Sequence, residues 1–200
     1  PILREKQKQA LAGYKVDWHD GLSTIPSDIP IFFVANEFFD ALPFCQYVYT
    51  AYQGWAERTV QWVDQDSGKF IFGHRSCGSF DPVSELGLSM PEGGHIFEIS
   101  PDRSGFMAAL SRRMKDQDGA GLIVDYGHLK AGYGDTFQAL YRHQYVDPLS
   151  HIGEADLTSH VNFQALSSAA RQQNINIAGM TTQGNFLNAL GIFLRAAAVA

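Results

Sequence analysis

The sequence predicts an α/β fold built on a parallel β-sheet. Two short apolar runs, Ile31–Ala35 and Gly121–Val124, have the composition of buried strands, and strands buried on both faces are typical of parallel sheets. Between them, Ser100 and Pro101 mark a helix start, because serine caps helices and proline suits the first helical position. Strands that alternate with helices indicate a doubly wound sheet with helices on both faces.

The segment before the first buried strand contains one predicted helix and one predicted strand. Residues 1–12 are good helix formers followed by Gly13, so we expect a helix there. Val16–Asp20 follows as a short strand, and the proline-containing linker 23–30 leads to the first buried run. Because the chain opens on Pro1 inside a predicted helix, we expect a further segment upstream, with any targeting signal on it.

An antiparallel, β-rich insertion is predicted at residues 44–80. Two turn signals, Gln53-Gly54 and the polar residues 64–68, separate runs of strand-forming residues. Residues 76–94 are rich in glycine, serine and proline and are expected to form a loop. The predicted strands of the insertion are Cys45–Tyr52, Ala56–Val63 and Lys69–His74.

The α/β pattern resumes after the predicted loop. Residues 128–160 are polar and contain glycine and histidine, and such long connections are often lids or binding loops. The other predicted elements are a strand at His95–Ile99, a helix from Ser100 to Gly119, the buried strand Gly121–Val124, a helix from the cap Asn162 to about Gln173, a strand at Ile175–Thr182 and a helix at Gly184–Ala198.

The composition describes a globular chain and disfavours several classes of partner. Of its 200 residues, 45% are hydrophobic and 18% are charged, so one sizeable core can form. The formal net charge of −6 argues against nucleic acid or an anionic membrane surface as the partner. Cys45 and Cys77 lack the CxxC spacing, which favours a reducing compartment. No apolar run has the length of a transmembrane helix, and no signal peptide is visible.

Several kinds of catalytic site are not supported by the motifs. No serine lies in a G-x-S-x-G elbow, and Cys45 falls inside a predicted strand. Gly132-Tyr133-Gly134 does not directly follow a strand, so it does not form a nucleotide-binding loop. We predict no metal site, because no H-x-x-x-H or H-E-x-x-H spacing links the candidate histidines His128, His143, His151 and His160.

Acidic residues follow the predicted strands. Asp20, Glu37 with Asp40, and Asp125 each come at or just after a strand end, and ligands of open α/β sheets bind beyond the carboxyl ends of the strands. A pocket edge of carboxylates with few cations suits a cationic ligand. On the local pattern alone, an equal alternative is that Asn36 and Asp40 cap a turn and Glu37 is a solvated surface residue.

Five motifs also carry a resemblance to a known family. They are residues 35–43 (ANEFFDALP), 124–127 (VDYG), 134–136 (GDT), 155–163 (ADLTSHVNF) and 182–192 (TQGNFLNALGI). In this order, and spread over essentially the whole chain, they closely resemble the motifs of the MidA family. One departure is Asn162, where the family pattern usually has Asp, and Asn also caps helices well.

The resemblance implies a Rossmann-like methyltransferase that uses S-adenosylmethionine. Mitochondrial members of the family are protein arginine methyltransferases that assist assembly of respiratory complex I. The family's glycine-rich loop would lie upstream of Pro1, and a C-terminal portion would lie beyond Ala200. We therefore expect residues 1–200 to be a partial methyltransferase domain.

Roles for individual residues follow from the resemblance. Asp20 is expected on the adenine side of the cofactor, and Asn36 and Glu37 at the methyl-transfer site. A carboxylate can hold a guanidinium by paired hydrogen bonds, which suits Glu37 with Asp40 in support. His160 could accept the proton that arginine loses, or could simply belong to a helix start. The remaining pocket candidates are Asp125, Tyr126, Thr182 and Gln183.

We therefore expect a protein arginine N-methyltransferase that acts on a respiratory-chain subunit. A catalytically silent assembly factor with the same fold, and a small-molecule methyltransferase, are the alternatives. No nucleic-acid partner and no membrane span are expected, and homodimerisation is left open. The expected compartment is a bacterial cytoplasm or the mitochondrial matrix.

Overall fold

The computed structural model describes residues 2–64, 68–84 and 86–199. The predicted turn at 64–68 and the predicted helix start at Pro1 lie largely outside these residues. The helices are α1 (Ile2–Ala10), α2 (Pro101–Gln117), α3 (Phe163–Gln172), α4 (Gln183–Ala189) and α5 (Ile192–Ala197), with a short 3₁₀ turn at Leu22–Thr24. The strands are β1 (Ile31–Asn36), β2 (Cys45–Thr50), β3 (Gly54–Asp64), β4 (Lys69–Ser76), β5 (Ile96–Ile99), β6 (Gly119–Val124), β7 (Gly127–His128), β8 (Gln138–Tyr141), β9 (Gln144–Val146), β10 (Asp156–Thr158) and β11 (Val161–Asn162).

The two predicted buried strands pair with each other. β1 and β6 are parallel and in register from Ile31 opposite Gly119 to Asn36 opposite Val124. Gly119 is needed for this pairing, because its φ is +148° and a Cβ there would lie 1.9 Å from the carbonyl oxygen of Ile31. Both strands therefore end at the same edge, which brings the residues that follow them together.

The burial of β1 differs from the expectation of a strand covered on both faces. Its residues alternate between half-buried and exposed, and the side chains of Phe32 and Val34 are 79% and 74% exposed. The opposite face packs against the core through Ala35. A continuous apolar run does not reveal this difference, because each face of a strand is covered only if another element packs on it.

Helices α2 and α3 cover the inner face and form the core with the chain after β1. Their starts follow the predicted signals: Ser100 accepts a hydrogen bond from the Arg103 amide at 3.1 Å, and Asn162 accepts one from Ala165 at 3.1 Å. The fully or nearly buried apolar residues of this core are Phe39, Met107, Val161, Leu166, Ala169 and Ala170.

A four-stranded antiparallel sheet in the order β4-β3-β2-β5 lies between β1 and α2 in the sequence. The strands predicted within residues 44–80 are present, and Trp55 and Phe97 pack with Val83 in a second core. The predicted strand at His95–Ile99 is present as β5, but it pairs antiparallel with β2 and so belongs to this sheet and not to the parallel one. A four-residue strand carries no sequence signal that identifies its partner.

Residues 128–160 contain short strands. β8 pairs antiparallel with β9 and β10, while β7 pairs in parallel with β11 across the whole stretch. This pairing returns the chain to α3 next to the carboxyl end of β6. Whether the stretch works as a lid or binding loop stays a prediction.

Three other local predictions are wrong. Val16–Asp20 and Ile175–Thr182 form no strand, and the predicted helix at Gly184–Ala198 is two helices, α4 and α5, separated at Gly191 with a φ of +81°. The large apolar side chains of this segment are also exposed: Leu190, Phe193 and Leu194 are 68%, 73% and 80% exposed. Within the described part of the chain, no helix is long and apolar enough to cross a membrane.

Candidate active site

The carboxylate of Asp125 organises the turn that follows β1. Its Oδ2 atom accepts hydrogen bonds from the backbone amides of Phe38, Phe39 and Asp40 at 3.2, 2.9 and 3.3 Å. Its Oδ1 atom accepts from the Tyr126 amide at 2.9 Å. Charged acceptors form the stronger hydrogen bonds of proteins, so this one side chain fixes the turn relative to the end of β6.

Glu37 is the first residue of that turn and is exposed. Its amide donates to the carbonyl of Val124 at 2.9 Å, which extends the pairing of β1 and β6 by one residue. Its φ of +47° is left-handed, a conformation that is uncommon for residues other than glycine and is concentrated at functional sites. Its carboxylate raises the pKa of the nearby Tyr126 hydroxyl, chiefly through its charge. Glu37 and Tyr126 are therefore neighbours at the open edge.

Asp40 closes the turn and is only 5% exposed. Burial raises the pKa of its carboxyl group, and the negative charges of Asp125 and Glu37 raise it further. Its Oδ1 atom is buried without a hydrogen-bond partner among the described residues. Asp40 is thus a better proton acceptor, when ionised, than an ordinary surface carboxylate.

Arg103 binds the backbone of the turn, a role that the sequence did not suggest. The residue is 5% exposed, and burial lowers the pKa of its guanidinium. Its Nη2 donates to the carbonyl of Asp40 at 2.8 Å and to Oγ of Ser159 at 2.6 Å, and its Nη1 donates to the carbonyl of His160 at 2.8 Å. A cation in the first helical turn opposes the helix dipole, and that unfavourable placement is the signal that could have singled out Arg103.

The backbone of His160 is bound to Arg103 beside the turn, but its imidazole ring lines a separate cavity. Its amide donates to Oγ1 of Thr136 at 2.9 Å. Its side chain lines a cavity together with His128 and Glu98, and that lining does not include Glu37, Asp40 or Asp125. The structure therefore joins His160 to the acidic turn through Arg103 and the backbone.

The other predicted site residues fall in three places. Asn36 is the last residue of β1 and lies at the same edge as Glu37. Thr182 caps α4 by accepting from the Asn185 amide at 3.3 Å, and with Gln183 it lines a groove of about 890 Å³ along β6 that also includes Asp125. Asp20 is 82% exposed and pairs with Arg4 at 2.5 Å. Asp20 is thus not brought to the acidic turn by any described hydrogen bond.

We call Asn36, Glu37, Asp40, Asp125 and Tyr126 the acidic turn site. The described residues contain no cluster of three or more His, Cys, Asp or Glu that could hold a metal ion. The site offers carboxylates at the ends of two parallel strands, which is the usual ligand position of an open α/β sheet. Such a site suits a cation, and both a sulfonium and a guanidinium are cations.

The fold is that of the Rossmann-like methyltransferases. Residues 1–181 match the profile of a family described as "Putative S-adenosyl-L-methionine-dependent methyltransferase". The chain belongs to this methyltransferase family, and the resemblance to MidA proteins is confirmed by its curated relatives. A protein named "Protein arginine methyltransferase NDUFAF7, mitochondrial" from Rattus norvegicus is 33% identical over 92% of this chain and 41% of its own length. The protein of that name from Homo sapiens is 34% identical over 92% of this chain and 40% of its own.

Solved structures show the same architecture. A protein from Burkholderia thailandensis superposes with a TM-score of 0.81 at 27% identity, over 99% of this chain and 54% of that chain. A second structure from that organism, crystallised with S-adenosyl-homocysteine bound, superposes with a TM-score of 0.78 at 27% identity, over 98% of this chain and 51% of its own. The chain thus spans about 41% of the first curated relative and about half of these solved chains.

Proposed function

We propose that this chain carries the substrate side of an S-adenosylmethionine-dependent protein arginine N-methyltransferase. The observation that carries the proposal is the acidic turn, in which exposed Glu37 stands beside Tyr126 at the shared end of β1 and β6. The family description and the names of the relatives supply the cofactor and the reaction class. Exposed Asn36 and Glu37 fit the sulfonium end of such a cofactor, because a carboxylate there offsets positive charge.

In this proposal the residues of the turn position the substrate. The bound cofactor supplies an already activated methyl group, so the protein contributes binding and orientation. Glu37 holds the guanidinium by paired hydrogen bonds, and this grip directs one nitrogen toward the methyl carbon. The new N–C bond forms as the S–C bond breaks, and the nitrogen then loses a proton. Asp40 is the proposed acceptor of that proton, whereas the His160 ring, the other candidate from the sequence, lines the separate cavity.

The substrate and compartment follow from the family resemblance. We propose a protein substrate, with an arginine of a respiratory complex I subunit as the particular target. Because its curated relatives are named mitochondrial, we propose the mitochondrial matrix as the compartment, with a bacterial cytoplasm as the alternative.

The proposal is tested by cofactor binding and by methyl transfer. Calorimetry with S-adenosylmethionine compares this chain with the protein expressed from the full reading frame. The protein from the full reading frame at least should bind the cofactor. Mass spectrometry should then show methylation of an arginine peptide and none of the matched lysine peptide. Absence of cofactor binding in both would contradict the proposal and favour the silent assembly factor. Transfer to small guanidines but not to polypeptides would favour a small-molecule methyltransferase.

A further inference from the structure

A second cavity lies between the antiparallel sheet and the starts of α2 and α3. Its volume is about 230 Å³, below the roughly 300–1,000 Å³ of most small-molecule and cofactor sites. It is separate from the acidic turn, since Glu37, Asp40 and Asp125 do not line it. Its size suits one group no larger than an amino-acid side chain.

Most of the cavity wall is apolar. Rings and aliphatic chains come from the antiparallel sheet, from the segment after the acidic turn and from α3, and a pocket of this composition favours an uncharged ligand group. The larger apolar side chains of the wall are Phe44, Pro82, Leu86, Phe97, Ile99 and Leu166.

The Glu98 carboxylate and the two Nη atoms of Arg103 bind protein partners, whereas Nε of Arg103 is buried without one among the described residues. The Glu98 carboxylate accepts from Nε2 of Gln46 at 2.7 Å, from the Thr136 amide at 2.9 Å and from the Thr136 hydroxyl. The Arg103 guanidinium donates to the carbonyls of the acidic turn and of residues 159–160. These two opposite charges also offset one another, so the cavity does not attract an ion.

A cation in particular is disfavoured. Ser100 and Asn162, the caps of α2 and α3, both line the cavity, so the partly positive starts of two helices face it. A guanidinium or a sulfonium would therefore bind at the acidic turn and not here.

Two imidazole rings are among the polar groups of the cavity, together with the side chains of Ser104 and Asn162. Neither His128 nor His160 forms a ring hydrogen bond within the described residues. Burial lowers the pKa of His128, and His160 lowers it further, which keeps His128 neutral near neutral pH. A neutral imidazole such as that of His128 carries no charge, so an uncharged ring or chain can pack against it.

The cavity and the acidic turn share a wall. Phe44 follows Asp40 by four residues, and Arg103 binds the carbonyl of Asp40 on one side and that of His160 on the other. We propose that this cavity binds one uncharged aromatic or aliphatic side chain of the polypeptide substrate, close in sequence to the arginine held by Glu37. The assignment to a polypeptide rests on the proposed function, whereas the preference for an uncharged group rests on the cavity alone.

The first test measures binding without catalysis. N-acetyl-phenylalanine amide should give saturation-transfer NMR signals with the protein expressed from the full reading frame. N-acetyl-arginine amide should not compete with it. Ala165→Phe fills the cavity from α3 and should abolish the signals. Ser168→Phe, on the exposed side of the same helix, is the matched control and should leave them unchanged. If Ala165→Phe fails to fold, Ser104→Leu fills the cavity from α2. No signal, or signals that survive filling, would overturn the proposal.

The second test uses peptides that differ only beside the arginine. Burial of an aromatic group should lower KM about tenfold for a phenylalanine neighbour relative to an aspartate neighbour. Filling the cavity should erase that difference, and Ser168→Phe should keep it. Amide binding with equal KM values would assign the cavity to a free small molecule and overturn the polypeptide assignment. Amide binding without any methyl transfer would support the cavity and overturn the proposed function.

Discussion

The turns that follow β1 and β6 carry the same kind of side chain in opposite environments. Glu37 follows β1 and is exposed, whereas Asp125 follows β6 and its carboxylate accepts hydrogen bonds from four backbone amides. Both residues come one position after paired strand ends, Asn36 and Val124. An acid at a strand end can therefore build the site or act in it, and its hydrogen-bond partners distinguish the two roles.

The difference also explains why the Glu37 backbone can hold a left-handed conformation. Asp125 fixes the three amides after Glu37, and Arg103 fixes the carbonyl of Asp40. Strained backbone persists only where the surrounding structure over-determines it. The turn is thus held from both sides, and the Glu37 side chain is exposed beside Tyr126.

The largest effect on stability is expected for Asp125→Asn. The change keeps the shape of the side chain but removes its charge, and it places an amide NH₂ against backbone donors. We expect the free energy of unfolding to fall by about 2 kcal/mol, because hydrogen bonds to charged acceptors are lost. Urea unfolding monitored by circular dichroism measures this change. Glu37→Gln is the matched control, and an equal loss in both variants would remove the distinction between the two turns.

A smaller, pH-dependent effect is expected for Asp40→Asn. Because burial and the neighbouring carboxylates raise the pKa of Asp40 in the folded state above its ordinary value of 3.8, its ionisation destabilises the fold. The protonated Asp40 carboxyl therefore contributes fully to the stability of the parent protein below the pKa of the unfolded state. This contribution is lost as the pH rises through the pKa of the folded state. The free energy of unfolding of the variant minus that of the parent protein should therefore be larger at pH 7 than at pH 3.

That experiment compares unfolding free energies of parent and variant at several pH values. A difference that does not change with pH would show that Asp40 has the same pKa in the folded and unfolded states. A difference that changes in the opposite direction would mean that the folded protein favours the ionised carboxylate.

The smallest effect on stability is expected for Glu37→Gln. An exposed side chain whose backbone already makes its hydrogen bond should change the free energy of unfolding by less than about 0.5 kcal/mol. The same urea titration measures it. A loss comparable to that of Asp125→Asn would mean that the Glu37 carboxylate is also structural.

The paired strand ends were predictable from the sequence because their signals are local. Apolar runs identified β1 and β6, and Ser100 and Asn162 identified the starts of α2 and α3. Parallel pairing of β1 and β6 then places Glu37 and Asp125 at the same edge of the sheet. The roles of these acids stayed predictions, because exposure and hydrogen-bond partners are properties of the folded chain.

The remaining features depend on contacts that are distant in sequence. Whether His95–Ile99 joins one sheet or another is decided by β2, and Val16–Asp20 has the composition of a strand without a strand partner in the described chain. Arg103 resembles the exposed Arg112 of the same helix in sequence, yet its partners lie 56–63 residues away. A pattern read along the chain cannot supply those partners.

The most direct test of the account is methyl transfer by Glu37→Gln in the full reading frame. Amide for carboxylate keeps the shape and removes the charge that grips the guanidinium, so turnover on an arginine peptide should fall well over tenfold. The affinity for S-adenosylmethionine, measured by calorimetry, should stay nearly the same. Unchanged turnover would remove Glu37 from the mechanism and contradict the acidic turn as the site of methyl transfer.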